Sequence, residues 1–133
     1  MEMRCLKLTV LPGHYAVCRF KDDAGLHERV RDLTFFAIVR TLGTLTLVCD
    51  QNVVGKAEEC EMNWRCLEIE GPFEFSEIGI LSQVCGTLAD AGIAVFVISA
   101  FETDYLLVKN ACLDAALSAL KTSGHQVNSA RAN

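Results

Sequence analysis

The chain has no cluster of lysine and arginine, no apolar run long enough to cross a bilayer, and no glycine pattern of the kind that cradles phosphate. With 12 Lys and Arg against 17 Asp and Glu, and a formal net charge of −5, it lacks the basic footprint that nucleic-acid backbones require, which sets nucleic acid aside as a partner. The longest apolar run, Gly92 to Phe101, falls well short of the ~20 residues of a membrane helix, so no membrane role is expected. The opening MEMRCLKLTVLPG carries charges through its first seven residues and breaks at Pro12-Gly13, unlike a secretory signal. A cytoplasmic protein is the expectation. Neither G-x-G-x-x-G nor a Walker pattern occurs.

Cysteine is plentiful, but its spacing is uninformative for metal. The seven cysteines include no Cys-x-x-Cys pair and no neighbouring Cys/His cluster, so no zinc site, no other metal and no cofactor is expected. The odd count and the apolar surroundings predict free, mostly buried thiols. Cys60 and Cys66 are the two to watch for redox reactivity, and the acidic segment beside them should raise their pKa values. His14, His27 and His125 are scattered, fall in turns, a charged segment and a strand start, and pair with no nucleophile. No enzyme chemistry is expected from them.

What is present is a chain of 133 residues, 51% apolar, able to bury a core without staples. The first half reads as two hairpins. Cys5–Leu11 turns at Pro12-Gly13 into Tyr15–Phe20, and Phe35–Arg40 turns at Leu42-Gly43 into Thr44–Cys49. Between the hairpins, Leu26 and Val30 stand four apart and suggest one short helical face. The acidic stretch after Cys49 has no apolar period, and the boundary is placed there, giving residues 1–62 and 63–133.

The second half changes period at its punctuation. Trp64–Ile69 reads as a strand stopped by Gly71-Pro72. From Ile78, the residues Leu81, Val84, Cys85 and Leu88 form a helical stripe, with Ser76 as N-cap and Gly92 just past the end. Ile93–Phe101, apolar without alternation, reads as a central strand covered on both faces. A turn at Glu102-Thr103-Asp104 leads to the strand Tyr105–Val108. A second helix follows, with Asn110 as cap, a stripe of Leu113, Ala116, Leu117 and Leu120, and Gly124 as stop, and then a short strand at His125–Val127. The order βαββαβ predicts an α+β, ferredoxin-like unit with two helices on one face of a four-stranded antiparallel sheet and a right-handed crossover through the first helix. A reduced, β-rich version of the same unit is expected before it.

Two segments combine parts for holding a small zwitterion. The loop Phe73–Ile80 leads into a helix start, where unpaired backbone N–H groups and the helix dipole suit a carboxylate and Gly79 keeps side-chain bulk away. The turn Ser99–Tyr105 carries Phe101, Thr103 and Asp104. Convergence of Glu77 and Asp104 would pair with an ammonium or guanidinium, with Phe101 as a lid. The bland alternatives are a dipole-stabilising Glu77, a turn-bonding Asp104 and a core Phe101.

On these segments the stretch GPFEFSEIGILSQVCGTLADAGIAVFVISAFETDYLLV resembles an ACT domain, in the branch of the CASTOR-type cytosolic arginine sensors and of short bacterial proteins with tandem ACT-like units. LTVLPGHYAVCRF and FFAIVRT…LTLVC resemble the amino-terminal half of those bacterial proteins. The resemblance implies a regulatory fold without its own catalysis that binds an amino acid at an interface between ACT units. It also implies ligand contacts at Ser76, Glu77, Ile78, Gly79 and Ile80, and at Ala100, Phe101, Thr103 and Asp104. Ala100 stands where a hydroxyl is common and Thr103 where an aromatic occurs. Because one half alone carries the full βαββαβ order, the resemblance further implies a homodimer and a protein partner for the signal. A structural or protein-interaction module without small-molecule ligand is the other class.

Overall fold

A computed structural model describes residues 4–21, 25–55, 57, 59–71, 73 and 78–129. Eight strands and three helices follow in the order β1 (Lys7–Val10), β2 (Tyr15–Phe20), α1 (Leu26–Val30), β3 (Ala37–Thr41), β4 (Thr44–Asp50), β5 (Glu59–Ile69), α2 (Ile80–Asp90), β6 (Phe96–Ser99), β7 (Asp104–Lys109), α3 (Leu113–Thr122) and β8 (Gln126–Ser129). Two compact units result, one of residues 13–64 and one of residues 1–12 with 65–133. This differs from a division at 62/63 chiefly in β1, which belongs with the carboxy-terminal elements. No helix among the described residues is long and apolar enough to cross a membrane.

In the unit 13–64, β2 pairs antiparallel with β4, from Tyr15↔Asp50 to Phe20↔Leu45, and β4 pairs with β3 around the Leu42-Gly43 turn. Alternate residues Ala16, Cys18 and Phe20 of β2 and Leu45, Leu47 and Cys49 of β4 meet Leu26 and Val30 of α1 in one cluster, as period-2 patterning requires. The first part of β5 joins the other side of β2, with Arg19↔Glu59, Cys18↔Cys60, Val17↔Glu61 and then, past a bulge, Tyr15↔Trp64. Asn63 takes a positive φ of 64° at the bulge, a conformation asparagine tolerates. Its backbone N–H donates to Gln51 Oε1 at 2.8 Å, and Gln51 Nε2 donates to its Oδ1 at 3.3 Å. β5 therefore begins five residues before the expected strand, within the acidic stretch read as a boundary.

In the other unit the strand order is β8-β1-β5-β7-β6. β1 runs antiparallel to β5, with Leu8↔Ile69 and Val10↔Leu67, and parallel to β8, with Leu8↔Val127. The expected hairpin of β1 with β2 is thus not formed. Leu6, Leu8 and Val10 bury their side chains with Leu67, Ile69, Leu106 and Val108 and with Val84 and Leu88 of α2 and Ala116 and Leu120 of α3. One strand parity thus meets both helices, which puts the helices on one sheet face. Each fully buried leucine contributes about 1.5–3 kcal/mol. The architecture is α+β and ferredoxin-like, with β1 inserted as a fifth strand between the first and last strands of the βαββαβ order.

Three further expectations are corrected. β6 is paired with β7 alone among the described strands; its side chains are half-buried from Phe96 to Ile98, so the unalternating Ile93–Phe101 run reflects partial cover on both faces of an outer strand, not a central one. α2 starts at Ile80 with Gly79 as N-cap at φ 86°; Ser76 lies outside the described residues. Asn110 opens a 3₁₀ turn before α3 and accepts from Arg65 Nη1 at 3.5 Å instead of capping the helix. The stops at Gly92 and Gly124 hold, with φ of 77° and 94°, the left-handed conformation that follows a helix end.

The cysteines depart from the all-thiol expectation. Cys18 and Cys60 form a disulfide between facing positions of β2 and β5, while Cys5, Cys49, Cys66, Cys85 and Cys112 are free. Burial first, and Glu68 second, push the Cys66 thiol up to about 12, so burial rather than an acidic boundary makes it inert.

His125 is buried, at 4% exposure, and not a surface group. Its Nδ1 accepts from the Leu6 N–H at 3.1 Å, and the Gln126 N–H donates to Leu6 O at 2.9 Å, so the ring and its neighbour bracket the start of β1. An accepting Nδ1 leaves the single proton of the neutral ring on Nε2. Burial lowers its pKa, so the folded state favours the neutral ring. The stability this confers is present above the unfolded histidine value, ~6.5, and is lost as pH falls below it. The midpoint of thermal unfolding between pH 7.5 and pH 5 is expected to fall more in the wild type than in His125→Gln; equal slopes would remove His125 from the account.

Candidate functional site

The chain returning from β6 to β7 makes a tight turn at residues 100–103, closed by the Ala100 N–H donating to Thr103 O at 2.9 Å. Two contacts from the segment after β5 hold this turn. The Phe73 N–H donates to Glu102 O at 2.7 Å, and Thr103 Oγ1 donates to Ile69 O. Gly71 permits the approach, because a Cβ there would lie 3.1 Å from Glu102 O and 3.2 Å from Thr103 Cβ. The turn is thus fixed by backbone it meets only on folding, and Phe101 at its tip stays 79% exposed.

Beside the turn lies a cleft of about 310 Å³, lined by Phe73, by Gly79 to Ser82 at the start of α2, and by Ser99 to Asp104. That volume is at the small end of ligand clefts, ~300–1,000 Å³. Of the residues singled out from sequence, the cleft brings together Gly79, Ile80, Ala100, Phe101, Thr103 and Asp104. Ile78 is 83% exposed and does not line it; Ser76 and Glu77 lie outside the described residues, and with them any convergence of Glu77 on Asp104. Phe73, Leu81, Ser82, Ser99 and Glu102 also line the cleft. Ser82 was legible as a residue of the first helical turn only once the helix start moved to Ile80.

The chemistry of the cleft is two-sided. The N-cap of α2 is a glycine, which has no side chain to cap with; the first intrahelical bond runs from the Gln83 N–H to Gly79 O, and the amides before it carry the positive end of the helix dipole. Opposite stands the carboxylate of Asp104, on the same strand parity as the core residues Leu106 and Val108. Burial first, and the charge of Asp104 second, raise the pKa of Cys85 on α2.

Tyr105, one residue on, points to the other face. A second cleft of about 370 Å³ lies there, lined by Glu68, Glu70 and Tyr105 and sharing Ala100, Phe101, Glu102 and Thr103 with the first. Burial, and then the hydrogen bond and charge of Glu68, push the Tyr105 phenol up to about 12. None of the histidines lines either cleft, and among the described residues no three His, Cys, Asp or Glu side chains gather as metal ligands.

Because Thr103 spends its hydroxyl on Ile69 O, its role is to position the turn. Thr103→Val, which keeps the shape and removes the donor, is expected to cost about 1–3 kcal/mol by leaving a carbonyl unpaired, read as a lower denaturant midpoint; an unchanged midpoint would mean the turn holds without it.

Comparison with known proteins fits this geometry. Residues 59–122 match the family model of the ACT domain. The human protein named cytosolic arginine sensor for mTORC1 subunit 1 is 30% identical over 110 residues, 76% of this chain and 33% of the sensor, so the chain spans about a third of the length of the curated relatives it matches. A crystal structure of an Agobacterium tumefaciens protein superimposes with a TM-score of 0.88 at 29% identity, covering 98% of both chains. The aspartate kinase of Clostridium acetobutylicum shares the fold at 9% identity and a TM-score of 0.64, over 90% of this chain and 34% of that one. Residues 59–122, the part of the chain that matches the ACT domain, hold both sides of the cleft.

Proposed function

We propose that the chain is a regulatory module that binds a free amino acid in the cleft between the start of α2 and the turn 100–103, without catalysis of its own. The observation that carries this reading is the pairing, across one small cleft, of helix-start amides suited to a carboxylate with the Asp104 carboxylate suited to an ammonium or guanidinium. Similarity to proteins named as cytosolic arginine sensors supports it and points to the cytoplasm as its place of work. Ser76 and Glu77, just ahead of Gly79 in the sequence, belong to the proposed site, and the ACT-like character of residues 1–62 belongs to the same proposal.

The partly covered β6 favours a homodimer in which outer strands of two copies pair about a twofold axis. Such pairing would set equivalent clefts near the shared edge, and ligand preference for one arrangement would pass the signal to a protein partner. The same strand supports the second reading, a protein-interaction module that recruits its partner by strand addition with no small molecule.

Thermal unfolding against the twenty amino acids at millimolar concentration separates the two. A ligand at 100 times its Kd stabilises by about 2.7 kcal/mol, so one amino acid or a few related ones should raise the midpoint. Asp104→Asn should weaken a cationic hit by tenfold or more. Light scattering on the same samples should give twice the chain mass. No shift with any amino acid would leave the interaction module, and a monomer that still binds would remove the dimer.

A further inference from the structure

The Cys18–Cys60 bridge lies outside the cleft and plays no part in the reading above. The two residues face one another across the β2–β5 ladder, where opposed side chains are already close. Their surroundings are unequal. Cys18 is 2% exposed and packs in the core cluster with Phe20 and Leu45, whereas Cys60 is exposed, as are the side chains from Glu59 to Asn63. A cavity of about 130 Å³ is lined by Val17, Arg19, Thr46, Glu59 and Glu61 together with the two cysteine residues.

Beside the bridge, Arg19 and Glu59 form an ion pair at 3.6 Å, with side chains 49% and 78% exposed, a kind worth little in water. Five of the seven cysteines remain thiols. One bridge among five thiols is not the pattern of a secreted disulfide scaffold, where cysteines pair throughout; bridges in reducing compartments are characteristically transient and redox-sensing.

We propose that Cys18 and Cys60 form a reversible thiol–disulfide switch that fastens the first residues of β5 to β2. The reductant is a dithiol. Its thiolate attacks the Sγ of Cys60, the exposed residue of the pair, the S–S bond breaks, and the electron pair leaves on Cys18 Sγ, which takes up a proton. The second thiol of the reductant then attacks its own sulfur in the mixed disulfide and releases Cys60 as a thiolate that is protonated in turn. Two electrons and two protons have passed to the protein, and the reductant leaves as a cyclic disulfide. The reduced Cys18 stays in the core as a small apolar side chain, so the pair remains in register for reoxidation, while Glu59–Glu61 loses its covalent tie to β2.

The test is made on the wild-type chain with and without dithiothreitol. Thiol titration in denaturant should count five thiols after exposure to oxidised dithiol and seven after reduction. Amide hydrogen exchange at residues 59–61 should speed up at least tenfold on reduction, with β7 and α3 unchanged. Cys60→Ser, at an exposed position, should exchange as the reduced protein does and ignore dithiothreitol. Seven thiols in the oxidised sample, or the same exchange at 59–61 in both states, would overturn the switch.

Discussion

The placement of β1 governs the unit that carries the cleft. A four-residue strand with antiparallel partner β5 and parallel partner β8 can sit there only if its apolar residues face the helices, and Leu6, Leu8 and Val10 do so. A slip of one residue would turn all three to the other face. Leu6 fixes the register at its end through His125 and Gln126, and the Leu11 N–H continues it by donating to Cys66 O at 2.9 Å. Beyond Pro12, Gly13 adopts φ 91°, and the next strand pairs with β4.

From that frame the cleft follows in short steps. β5 ends at Ile69, whose carbonyl receives Thr103, and the chain just past it passes Gly71 and donates from Phe73 to Glu102. The turn is thereby held opposite the amino end of α2, and strand alternation sends Asp104 toward the helix and Tyr105 away. For the ligand proposed for this cleft, a turn tied by backbone hydrogen bonds and the amides of a helix start would be groups already in place, the arrangement that lowers the entropic cost of binding.

Much of this was legible in the sequence where the signal is local. The α2 and α3 stripes and their glycine stops encode helices through nearest neighbours, and Leu26 with Val30 marked α1 by the same rule. The failures are non-local. Cys5–Leu11 and Tyr15–Phe20, separated by Pro-Gly, carry the same pattern whether they pair together or diverge into two cores; only their partners far along the chain decide. Val95 to Ile98 is apolar on both faces in a central strand and in a partly covered outer one alike. The facing of Cys18 and Cys60 depends on register across 42 residues, which no spacing rule reveals. At the cleft, Gly79 and Asp104 had chemical reasons to be noticed, whereas Ser82 and Ser99 are hydroxyls whose use depends on where α2 begins and β6 ends.

The central claim is that an amino acid sits between the first turn of α2 and the turn after β6. Amide NMR spectra of the isotopically labelled chain, titrated with the amino acids in millimolar steps, test it most directly. The account expects saturable shifts with at least one of them, concentrated at Gly79–Ser82 and Ser99–Asp104. Saturable shifts confined to other residues, or none with any of the twenty, would contradict it.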